Sequence, residues 1–364
     1  MKIKKLTTFL ESIAPLEYQE HYDNCGLIIG DPNTEAKAAL VTLDCTEAII
    51  DEAIETGCNL VIAHHPIIFS GLKKLNGSNS IERTLIKAIK NDIAVYAIHT
   101  NLDNVHNGVS AKIAEKLGLE NCKILAPKAD LLRQLVVYCP NINAKNLKTA
   151  LFEAGAGTIG EYDQCSFTST GKGTFRANDH CTPFVGEIGK NHIENEDRIE
   201  VIYPKSNEKS VLDAMKIAHP YETVAHQIYE LENKHQLVGA GIIGELNTPV
   251  DAQLFLKNLK LNMQADCVRH TPLVKQQIKT VAVCGGSGSF LINNAIAAKA
   301  DVFITADFKY HEFFDAENHI IIADIGHYES EQFTKDLIYD LLTDNFTKFA
   351  VRLSKVNTNP IKYL

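Results

Sequence analysis

The sequence predicts an α/β protein in which a base domain, with central mixed sheets, is split in two around an inserted α+β domain. Three observations carry this expectation. Short apolar runs without polar alternation, such as VIA, FIT and IIIAD, read as strands covered on both faces. In the first and last thirds of the chain these runs alternate with segments of helical periodicity, as βα units do. Between them, residues 130–235 follow a different element order. A chain of 364 residues, 45% hydrophobic and 22% charged, is long enough for two or three cores and has a globular composition.

The elements follow in order. Residues 1–129 read as βαβαβα: ALVTLD, the helix TEAIIDEAIETG, NLVIAHHP, a helix at SIERTLIKAIKN, IAVYAIHT and the helix VSAKIAEKLGL. Residues 130–235 read as the strand LLRQLVVYCP, the helix AKNLKTALFEAG, the strands CSFTSTG and IEVIYP, the helix SVLDAMKIAHP and the strand ETVAHQIYEL. That order, βαββαβ, is the ferredoxin-like one and closes as a domain by itself. Residues 236–364 return to the first style with KTVAVCGGSGS, the helix LINNAIAAKA, DVFITAD, a short helix at KYHEFFDAEN, HIIIADIG, the helix ESEQFTKDLIYDLLTDN and FAVRLS.

Composition excludes several function classes. With 36 basic against 45 acidic residues and a net charge of −9, the chain lacks the Lys/Arg excess of a general nucleic-acid binder. Its nine cysteines contain no CxxC pair, so neither a zinc ribbon nor a disulfide framework is expected. The polar start MKIKKLTTFLESIAP and the lack of any run of about 18 apolar residues point to a cytoplasmic protein that crosses no membrane.

Chemistry-bearing residues gather where the predicted strands end. His64 and His65 follow NLVIA, and Pro66 holds the chain extended there, so both imidazoles can serve one site past the ladder. IAVYAI leads to His99, Asn101 and Asp103. HIIIAD leads to His327 and Glu331, four apart and so on one helical face, with Glu329 pointing elsewhere. Any one of these could be a turn or cap. Three strand ends bearing imidazole and carboxylate without cysteine are what a dinuclear site for Zn, Fe, Mn or Co needs. Asp307, His311 and His99 are candidates for supporting or proton-transfer roles, and Gly285, Gly286 and Ser287 in CGGSGS for an anion-binding turn. In the insert, His219 and Glu222 around Pro220 read first as a helix stop and secondarily as a ligand or interface pair.

The motifs DNCGLIIGDP, VTLDCT, AHHPIIF, HTNLDN, GIIGEL, VAVCGGSGS, TADFKYHEFFDA and DIGHYESE together resemble the dinuclear-metal proteins labelled GTP cyclohydrolase 1 type 2 homologues, the NGG-interacting-factor-like family. The resemblance covers nearly the whole chain, including the insert of the family's longer members. It implies two divalent ions per chain on His64, His65, Asp103, His327 and Glu331, and a ring-shaped homohexamer. The activity it suggests is hydrolysis of a nucleotide or another anionic small molecule; the competing function is a metal-loaded scaffold that senses a ligand without turnover.

Overall fold

A computed structural model describes residues 1–364. The chain forms two compact units, Met1–Pro127 with Leu237–Leu364, and Lys128–Gln236. No helix is long and apolar enough to cross a membrane.

The larger unit contains two mixed sheets. The first has the strand order Gly26–Ile29, Ala94–Ala97, Leu60–Ala63, Ala38–Thr42, Ala350–Leu353, all parallel apart from the antiparallel Gly26–Ile29 edge. Its central strands are only four or five residues long and buried throughout, which is why they read as bare apolar runs. The second sheet has the order Arg269–His270, Ile321–Asp324, Val302–Ala306, Gln277–Ser287, Gly239–Asp251, Leu119–Pro127, parallel at its centre and antiparallel at both sides. Helices cover both sheets. The Ser80–Lys90 helix shows the local logic: Asn79 caps it by accepting from the Glu82 amide at 2.9 Å, and Leu85 and Ala88 face the core.

The antiparallel pair Leu119–Pro127 and Gly239–Asp251 was not foreseen from sequence. Much of Leu119–Pro127 is only partly covered and contains Glu120, Asn121 and Lys123, so no apolar run marks it. This pair aligns Pro127 with Gly239, so the two ends of the split unit emerge side by side.

The smaller unit has four antiparallel strands in the order Phe167–Arg176, Asn191–Pro204, Leu132–Pro140, His226–Leu231. Helices Ala144–Glu153 and Glu208–Ala218 complete the βαββαβ sequence. Leu147, Leu151, Val211 and Met215 of the helices pack on Leu135, Val137, Ile199 and Val201 of the sheet. The unit therefore has its own core.

Candidate metal centre

Both sheets of the larger unit end at one cavity of about 690 Å³, in keeping with the rule that α/β sheets bind ligands beyond the carboxyl ends of their strands. Leu60–Ala63 delivers His64 and His65, which stay attached to the neighbouring strand through amide bonds to the Thr42 and Leu43 carbonyls at 3.2 and 2.9 Å. Ala94–Ala97 delivers His99, and the short helix Thr100–Asp103 delivers Asp103. Ile321–Asp324 delivers His327 and Glu331 on the helix His327–Glu331. Glu329 turns away and accepts from Asn359 at 3.0 Å.

The outer ring nitrogens are all occupied. His64 Nδ1 lies 2.8 Å from the Ile98 carbonyl, which can only accept, so this nitrogen carries the proton. His65 Nδ1 donates to Asp44 Oδ1 at 2.8 Å, His99 Nδ1 to Asp23 Oδ1 at 2.9 Å, and His327 Nδ1 to Asp307 Oδ2 at 2.6 Å. Asp44 is itself held by the Thr358 hydroxyl, and Asp23 by the Thr100 amide and hydroxyl. A ring that donates from Nδ1 offers its Nε2 lone pair to whatever lies in front of it.

What lies in front is a group of mismatched atoms. His65 Nε2 and His327 Nε2 face each other at 3.4 Å and sit 3.0 and 3.1 Å from Glu331 Oε2. His64 Nε2 is 3.7 Å from Asp103 Oδ1 and 3.9 Å from Glu331 Oε1, too far for hydrogen bonds. His64 Nε2, Asp103 Oδ1 and Glu331 Oε2 are buried without a hydrogen-bond partner. Orphaned acceptors converging in a buried site are costly unless a cation sits among them. The ligand atoms of His64, His65 and His99 lie within 4.8 Å of one another, as do those of His65, His327 and Glu331. These His/Glu clusters could therefore hold metal ions.

The electrostatics favour positive charge at the same place. Burial opposes charging His65 and His327, but their hydrogen bonds to Asp44 and Asp307 and the nearby Glu331 carboxylate prevail and push them up to about 10 and 11. His64, more deeply buried, is lowered to about 4 and stays neutral. Burial would raise Glu331, yet the neighbouring imidazoles, His327 first, hold it well below the usual carboxylate range. Asp103 moves the other way, raised first by burial and then by the Glu331 charge. In the absence of another cation, protons take the positions that an ion would claim.

One expectation needs correction. His311 is exposed in the 3₁₀ segment Tyr310–Ala316; its ring packs on Tyr310 and Phe314 and touches none of the converging groups. Gly285, Gly286 and Ser287 fall at the end of the strand Gln277–Ser287, at a register shift, and Gly285 and Ser287 line the cavity. The Gly285 and Gly286 amides already donate to Ser110 and Ser330. Gly286 also serves Glu331: a Cβ there would lie 2.3 Å from Glu331 Oε1. In the insert, His219 is fixed between the Tyr138 carbonyl and the Tyr221 amide.

Asp44 and Asp23 escaped the sequence reading as site residues. Asp44 follows an apolar run and Asp23 a polar stretch, each as unremarkable as any turn residue, and the imidazoles they hold lie 21 and 76 positions away.

Residues 1–360 match the Duf34/NIF3 (NGG1p interacting factor 3) family. A Bacillus subtilis protein described as "GTP cyclohydrolase 1 type 2 homolog" is 39% identical over 99% of this chain and 98% of its own length. Among solved structures, a Bacillus cereus protein related to NIF3 superposes with a TM-score of 0.86 at 36% identity, covering 100% of this chain and 99% of that one. The Staphylococcus aureus protein SA1388 does so with a TM-score of 0.79 at 31% identity over the same shares. Matched by the family model over residues 1–360 and by relatives over nearly its whole length, the chain belongs to the Duf34/NIF3 family.

Proposed function

We propose that this protein is a metal-dependent hydrolase in which His64, His65, Asp103, His327 and Glu331 hold two divalent ions. The observation that carries the reading is the set of buried acceptors without partners, His64 Nε2, Asp103 Oδ1 and Glu331 Oε2, in front of imidazoles whose Nδ1 protons are already committed. Imidazole and carboxylate donors without thiolate suit Zn, Fe, Mn or Co. When bound, such ions supply Lewis acidity and activate water at neutral pH.

The chain's own residues have separable tasks. Asp44 and Asp307 orient His65 and His327. The Asp23–His99 pair sits against His64 and His65, with ring centroids 5.2 and 5.1 Å apart, where His99 Nε2 can take up or return a proton. The cavity wall contains Asp44, Asp103 and Glu331 and neither Lys nor Arg. An anionic substrate group would therefore be met by the ions themselves, while Tyr22, Phe69 and Ile361 offer its remainder an apolar rim.

We further propose assembly as a homohexamer, supported by family membership and by the exposed aromatic side chains Phe290, Tyr310 and Phe314.

The test is elemental analysis of protein purified without chelator, followed by stripping, reloading with Zn, Mn, Fe or Co, and assay on a nucleotide and phosphoester panel. Two ions per chain are expected, with turnover that depends on metal. His99→Gln should lower kcat with little change in KM. Metal binding without turnover under any ion would favour the scaffold reading, and failure to bind metal would end both.

A further inference from the structure

The insert contains a second cavity, of about 420 Å³, that the metal reading leaves unused. Aromatic rings form much of its wall. Phe175 and Phe184 stand 6.1 and 6.2 Å from Tyr221, tilted by 59° and 52°, and Tyr138 adds a further side chain. Rings tilted in this way turn part of their electron-rich faces toward the enclosed space.

Carboxylates supply the rest. Glu196 reaches over Gly173 so closely that a Cβ there would lie 2.0 Å from its Oε2, and a glycine is what admits the carboxylate. Glu222 accepts from the Thr182 amide at 3.1 Å and lines the same space. The ion pairs of this unit are made by other residues, among them Arg133 with Glu230, His192 with Glu194 and Arg198 with Glu200, so Glu196 and Glu222 are left without a basic partner. The Tyr221 hydroxyl is buried and has no hydrogen-bond partner. Burial and the adjacent Glu196 carboxylate, toward which the hydroxyl is turned, keep it protonated. Arg176 is the one basic residue on the wall.

We propose that this cavity binds a small organic cation through an ammonium or quaternary ammonium group, which rests on the faces of Phe175, Phe184 and Tyr221 and is countered by Glu196. An anion would meet the rings and two carboxylates, with Arg176 alone to offset them. A neutral apolar molecule would remove water from Glu196 and return nothing to it. A positively charged head satisfies both surfaces at once. The site is confined to the insert and stands or falls apart from the metal centre.

The experiment uses the full chain, titrated with choline, tetramethylammonium and ethanolamine and, as control, with the neutral isostere of choline in which carbon replaces the ammonium nitrogen. Binding is read by calorimetry and ligand-observed NMR. At least one cation should saturate, and choline should bind about tenfold or more above its isostere. Glu196→Gln and Phe184→Leu should each weaken it several-fold with unchanged circular dichroism. Phe184 is 52% exposed, so its replacement leaves the core intact. Arg176→Gln should leave choline binding in place. Equal binding of the neutral isostere would overturn the proposal, as would saturation by none of the cations or a loss caused by Arg176→Gln but not by Glu196→Gln.

Discussion

Replacing Gly286 by alanine tests whether Glu331 is the shared anchor of the metal centre. Gly286 has φ +61°, and its backbone is tied on both sides, the amide donating to Ser330 Oγ and the carbonyl accepting from Thr305 Oγ1, each at 2.9 Å. The added Cβ would lie 2.3 Å from Glu331 Oε1, where contacts under 3.0 Å are essentially not seen. With the backbone tied, the carboxylate has to retreat by at least 0.7 Å, the gap between those two distances. Two losses follow. The left-handed backbone costs about 1–2 kcal/mol for a residue with a Cβ, or roughly 2–8 °C in Tm for a unit of this size. Displacing a carboxylate that faces three imidazoles should lower metal affinity about 10–100-fold, the range seen when a ligand loses its supporting geometry. Gly57→Ala separates the two effects, because Gly57 also has a positive φ, +70°, but a Cβ there has nothing within 4 Å. Thermal unfolding of the stripped proteins and competitive chelator titrations of the loaded ones give both quantities. Wild-type affinity in Gly286→Ala, or equal loss in Gly57→Ala, would refute the argument.

Further outcomes follow from the same geometry. His327→Ala and Glu331→Gln should each lower bound metal, measured by elemental analysis, while circular dichroism stays that of the wild type. Asp307→Ala should weaken metal binding about 10–100-fold by freeing the His327 ring, and Asp307→Asn, whose amide oxygen can still accept from Nδ1, should weaken it less. Joining Pro127 to Leu237 by a short Gly/Ser linker should give a folded, metal-binding protein, because Pro127 and Gly239 are already paired across adjacent strands; precipitation or loss of metal would contradict this. His219 is lowered from its ordinary value of 6.5, chiefly by burial. The unfolded state therefore binds the proton more readily, so the stability it contributes is present above about pH 6.5 and lost as pH falls below it. Denaturant midpoints of the insert between pH 5 and 7.5 should shift less in His219→Gln. Light scattering should give a particle of six chains, about 240 kDa for a 40.3 kDa protomer.

How much of this could be read beforehand depended on whether a residue's role is local. The strands Leu60–Ala63, Ala94–Ala97 and Ile321–Asp324 are buried on both faces and stand out as apolar runs, and the residues just past them fall at the cavity for topological reasons. The spacing of His327 and Glu331 is likewise a property of one helical turn. Asp44 and Asp23 matter through strand neighbours far away in sequence, and no local pattern encodes that register. The glycines of Gly285–Ser287 suggest a turn, and in the structure they fall at a register shift of the strand, after which Ser287 pairs with Ala306. His311 misled because Tyr310–Ala316 winds as a 3₁₀ segment, whose three-residue turn places its side chains differently from an α-helix.

His65 and His327 stand 262 positions apart and come from different sheets of one unit. An ion between them would be a clasp rather than an ornament at the rim. Its binding free energy would be drawn on whenever either sheet opens, so that amides near Ala63 and Asp324 would exchange together in the loaded protein and separately in the stripped one. A cell short of the metal would then hold a looser protein, open to proteolysis, and the amount of this chain would follow the supply of its ion.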